Sequence, residues 1–145
     1  MTDTAQLGPA LDLVNAFFQR HYPADLDRDK FEWDGALGGM WKYPGPRADA
    51  LFPEMVCADG FSMSVQGHEG AYSKPRDDFA ERYTHVEVYL VSEPEPLLNQ
   101  HDDKQNEAFG FDLEPSQRAG MDQPCGYVPV EVIEQIIAKH GGLKE

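Results

Sequence analysis

The residues best placed to do acid-base or metal chemistry are five histidines among 26 acidic side chains, and their spacing determines what is open to them. His85 and Glu87 followed by Pro124-Cys125 come nearest to a known template. Zinc-dependent deaminases use H-x-E and then P-C-x-x-C, with one His and two Cys on the metal and the Glu moving protons. Here the third position after Cys125 is Val128, so one ligand of the shell is missing. A looser group, His68, Glu69, His85, Glu87, His101, Asp102 and Asp103, has donors that suit zinc, manganese or iron but no compact ligand spacing. There is no G-x-S-x-G elbow, no phosphate-binding glycine loop and no dinucleotide fingerprint. No catalytic residue, metal site or cofactor is therefore assigned, and a protein that is not an enzyme is the expectation.

Charge points elsewhere. Twelve basic residues against 26 acidic ones give a net charge of -14, which disfavours direct nucleic-acid binding because phosphate backbones need Lys and Arg in excess. A partner with a basic surface fits better. Between Glu87 and Glu114 the carboxylates meet a single Lys104. Glu93, Glu95, Asp102, Asp103 and Glu107 form the candidate partner-binding patch, able to steer a cationic surface through a focused negative field. The alternative site is a polar sheet face built from Ser62, Ser64, Gln66, His85, Glu87 and Tyr89, with His68, Glu69, Tyr72 and Arg76 at its rim. It would serve a small ligand or a reaction. Trp33, Trp41 and Tyr43 lie in a stretch rich in Gly and Pro, and are read as covering the open side of a small core more than as anchors for a partner.

These residues need elements to hold them. Pro9 to Tyr22 places Leu11, Val14, Phe18 and Tyr22 at helical spacing, with Gly8 as N-cap and Pro23 as terminator. Glu54 to Gln66 reads as a hairpin turning at Asp59-Gly60, with Phe61, Met63 and Val65 on its apolar side. Thr84 to Ser92 reads as a strand with Val86, Val88 and Leu90 facing the core, stopped by the prolines after Glu93. Short strands are expected around 31–33, 40–43 and 125–128, a long polar excursion over 97–123, and a final helix starting at Pro129 with Val132, Ile133, Ile136 and Ile137 inward. The result is one α+β domain over 1–145, a mostly antiparallel sheet carrying both amphipathic helices on one face.

Three segments, FPEMVCADGFSMSVQGHEGAYSKPR, HVEVYLVSEPEPLL and GYVPVEVIEQIIAKHGGL, resemble those of a family of small phage and prophage proteins. The resemblance covers the middle and the C-terminal helix and supplies no activity, cofactor or catalytic residue. It implies a phage-encoded protein of the host cytoplasm, in keeping with the absence of a signal-like or membrane-length apolar run. By analogy with small acidic phage proteins, the expected role is inhibition or modulation of a host or anti-phage defence protein, with nucleic-acid mimicry as one means. A virion assembly accessory is the second alternative.

Overall fold

The computed structural model describes residues 12–34, 40–43, 51–101, 121 and 124–144. Helix α1 (Leu13–Arg20) starts at Asp12, whose carboxylate accepts the Asn15 amide and so satisfies a donor that the helix cannot. Gly8 and Pro9, the expected start, lie outside the described residues. A ribbon of β1 (Glu32–Asp34) and β2 (Met40–Lys42) follows. The main sheet has the order β3 (Met55–Val56), β4 (Ser62–Gln66), β5 (His85–Tyr89) and β6 (Cys125–Pro129), antiparallel throughout. Helix α2 (Val130–Lys139) closes the fold, which is α+β. Pro129 is its N-cap, so the helix begins one position later than the sequence suggests.

The hairpin from β3 to β4 turns through three residues, Ala58, Asp59 and Gly60. The Gly60 amide donates to the Cys57 carbonyl, and Gly60 sits at φ 97°, a conformation that glycine adopts without a side-chain clash. Asp59 accepts the Phe61 amide and holds the turn. Alternation then puts Phe61, Met63 and Val65 inside, opposite Val86 and Val88 of β5. Leu90 departs from that alternation. It takes φ 57° and is 57% exposed, so the chain flips and buries Val91 in its place.

The core is partly aliphatic and partly aromatic. Val130, Ile133, Ile136 and Ile137 of α2 are buried, while Val132 is half-buried. Around α1, Phe18 stacks on Phe52 at 4.1 Å and meets Tyr83 edge-on at 5.4 Å. Gly67 is required here, because a Cβ on it would come within 2.8 Å of the Tyr83 ring. Tyr83 in turn organises the neighbouring loop, donating its hydroxyl proton to the Asp77 carbonyl and accepting the Ala80 amide. Asn15, buried at 1% exposure, exchanges hydrogen bonds with the Tyr83 backbone and ties α1 to the same loop.

Candidate functional site

The sequence assigns a partner-facing patch to Glu93, Glu95, Asp102, Asp103 and Glu107. Glu93 is exposed. Glu95 is not part of any exposed patch, being 1% exposed, with its two oxygens on Lys139 Nζ and His140 Nε2, each at 2.8 Å. The reason is geometric: the 3₁₀ turn Pro96–His101 folds back against α2 and carries Glu95 beneath the helix's last turn. Asp102, Asp103 and Glu107 lie outside the described residues.

Glu95 belongs to a closed polar knot. His140 donates from Nδ1 to Asp59 at 2.6 Å and from Nε2 to Glu95 at 2.8 Å, and its ring stacks on Phe61 at 4.1 Å. Two carboxylate acceptors require both ring nitrogens to be donors, so the imidazole is cationic. Burial opposes that charge, but the hydrogen bonds and charges of Glu95 and Asp59 outweigh it and hold the His140 pKa above its ordinary value. Burial likewise disfavours the charged form of Glu95, and Lys139, His140 and the Leu97 amide together hold its carboxyl below the usual range. The knot fastens the carboxyl end of α2 to the β3–β4 turn, with the Ala58 amide on the Gly142 carbonyl and the Lys144 amide on the Val56 carbonyl.

The polar sheet face does come together in part. Ser64 lies opposite Tyr89 and Gln66 opposite Glu87, with His85 further along β5 on the same side. Gln66 spends its amide on the Phe52 backbone. His68 and Glu69, placed at the rim by sequence, are buried instead, because the loop that follows β4 turns inward. His68 Nδ1 accepts the Gly70 amide, and the Glu69 amide donates to Asp78. Tyr72 and Arg76 stay at the surface: the Arg76 guanidinium lies 5.3 Å from the Tyr72 ring, which faces Tyr127 of β6 at 5.8 Å. Tyr127 takes φ 53° beside a register shift, and its amide donates to the Tyr72 carbonyl. Burial, and then the nearby His85, push the His101 pKa down. Among the described residues no three His, Cys, Asp or Glu side chains gather in a way that could hold a metal ion.

The ribbon carries two of the exposed large apolar side chains among the described residues. Tyr43 does cover the core, meeting Phe79 edge-on at 5.0 Å. Trp33 and Trp41 do not: they are 57% and 43% exposed and touch each other, ring centroids 5.0 Å apart. Their position follows from strand pairing. Trp41 sends its amide to the Asp77 carboxylate and receives the Asp78 amide on its carbonyl, so its hydrogen-bonding edge faces away from β1. Trp33 and Trp41 are thus a directly opposed, non-hydrogen-bonded pair, the arrangement that brings side chains closest. The Tyr43 amide donates to Asp78 at 2.6 Å, completing the attachment of the ribbon to the 77–80 loop. Beside Trp41 opens a cleft of about 510 Å³ lined by Arg28, Phe31, Trp41, Pro75, Asp77, Asp78, Ala80, Glu81 and Arg82.

Comparison with protein-family models, curated proteins and solved structures finds no match to this chain. No helix among the described residues is long and apolar enough to cross a membrane.

Proposed function

We propose that this chain is a non-enzymatic binding protein that engages a positively charged surface of another protein through its β1–β2 ribbon. The observation that carries this reading is the pair of solvent-facing tryptophans, Trp33 and Trp41, in mutual contact on a ribbon anchored to the body by Asp77 and Asp78. Tryptophan is over-represented among the few residues that dominate protein interfaces, since its large rigid surface is costly to leave wet. Exposed carboxylates approach it along the chain at Asp25, Asp27, Asp29 and Glu32. With a net charge of -14, the field around the molecule draws in cationic surfaces and repels anionic ones. Resemblance to phage proteins makes the proposed partner a host or defence protein whose basic face ordinarily meets nucleic acid, with carboxylates standing in for phosphates.

Capture from a bacterial lysate tests this, using the immobilised full chain and its Trp33→Ala/Trp41→Ala double variant at low and high salt. The expected result is a basic protein held by the parent chain at low salt, released at high salt and not held by the variant. Equal capture by both chains, or none by the parent, contradicts it.

A further inference from the structure

The cleft beside Trp41 adds a chemical requirement on the partner, and so rests on the ribbon reading. We infer that it receives an arginine side chain, with the guanidinium stacked against the Trp41 indole and held by the Asp77 carboxylate. Its volume of about 510 Å³ lies within the range of ligand sites, and its apolar wall is Phe31, Trp41 and Pro75.

Asp77 is fixed in place for the task. Oδ1 accepts the Trp41 amide at 2.8 Å, which pins the carboxylate beside a residue that lines the cleft. Oδ2 has no partner among the described residues. The lining carries three carboxylates, Asp77, Asp78 and Glu81, against two guanidinium groups, Arg28 and Arg82, and Arg82 is already paired with Asp12 at 3.6 Å, which leaves the cleft with a negative excess. Among the described residues the exposed Glu81 carboxylate is held by a 4.0 Å ion pair with Arg28 alone and can turn to a second cation at little cost. Arg28 also shows the mode of binding in miniature: its guanidinium lies 5.8 Å from the Phe31 ring while it faces that carboxylate. Arginine is favoured over lysine because a planar, weakly hydrated guanidinium stacks on an indole while an edge N–H still donates to the open carboxylate oxygen. An anionic ligand would have to enter against both the local excess and the -14 of the whole chain.

The test titrates the full chain with the peptide Gly-Gly-Arg-Gly-Gly and its lysine counterpart, following the Trp41 indole N–H by two-dimensional NMR. The arginine peptide should shift that signal saturably, and the lysine peptide should bind roughly fivefold more weakly. Asp77→Asn keeps an oxygen for the Trp41 amide and removes the charge, and should weaken arginine binding about tenfold. Glu81→Gln, at an exposed position, should give a smaller loss in the same direction and serves if the Asp77 variant fails to fold. No saturable shift at Trp41, equal binding of the two peptides, or full binding by both variants overturns the inference. If lysate capture still needs the tryptophans in that case, only the cleft assignment falls. If the peptide binds but capture ignores both tryptophans, the ribbon reading falls and the cleft remains an arginine site.

Discussion

Two regions of this molecule use the same kinds of side chain in opposite ways. At the carboxyl end of α2, an aromatic ring, a histidine, a lysine and two acids close on one another: Phe61 on His140, His140 on Asp59 and Glu95, Lys139 on Glu95. At the ribbon, Trp33, Trp41, Arg28 and Glu81 meet solvent, and their contacts with one another are long or partial. Charge and aromaticity alone therefore do not mark a binding surface in this chain. What distinguishes the ribbon is that its groups are held in position by backbone contacts while their side chains remain available.

The largest losses of stability are expected around α2 and its closed knot. Ile133→Ala, in the buried stripe of α2, should cost about 3 to 4 kcal/mol in urea unfolding through the cavity it leaves. Glu95→Gln should cost about 3 kcal/mol, because it leaves His140 charged and short of a buried counter-charge. The same knot sets a pH dependence. The raised pKa of His140 means its contribution is fully present below the ordinary value of 6.5 and fades as pH rises through the folded-state value. The lowered pKa of Glu95 means its contribution is present above 4.5 and is lost as pH falls through the folded-state value. Melting curves should therefore show these two contributions together between those values, and His140→Gln should remove the decline on the alkaline side. A decline of unchanged size in that variant would show that other groups control it.

Tyr83→Phe acts on the ribbon side alone, because its hydroxyl holds the 77–80 loop to which the ribbon is attached. Losing the bonds to Asp77 and Ala80 should cost about 1 to 2 kcal/mol and loosen the loop that holds Trp41. Indole NMR signals should broaden or shift in that variant while those of α2 stay in place. Smallest of all, Trp33→Ala should change stability by less than about 0.5 kcal/mol, since its side chain is outside the core.

Much of the architecture was legible from pattern. The helix periodicity of α2, the glycine turn before β4 and the β-branched run of β5 each follow a local rule that burial then reinforces. Leu90 shows where alternation fails, since a left-handed residue leaves no trace in the apolar pattern. The sites were harder to read. Glu95, flanked by prolines and close to other acids, looks solvated in the sequence, and only the folding of distant His140 and Lys139 onto it reveals a buried ion. Trp33 and Trp41 look like core material by residue type. Their exposure follows from the ribbon's attachment through Asp77 and Asp78, some 35 positions away. Nothing in the residues around Asp77-Asp78 marks them in the sequence as the anchor of strands that far upstream.

The most direct test of the central claim measures partner binding and stability together in the Trp33→Ala/Trp41→Ala variant. The expected result is an unfolding midpoint close to that of the parent chain and at least about a tenfold loss of affinity for the captured basic partner. Parent-like affinity in a folded variant would contradict it.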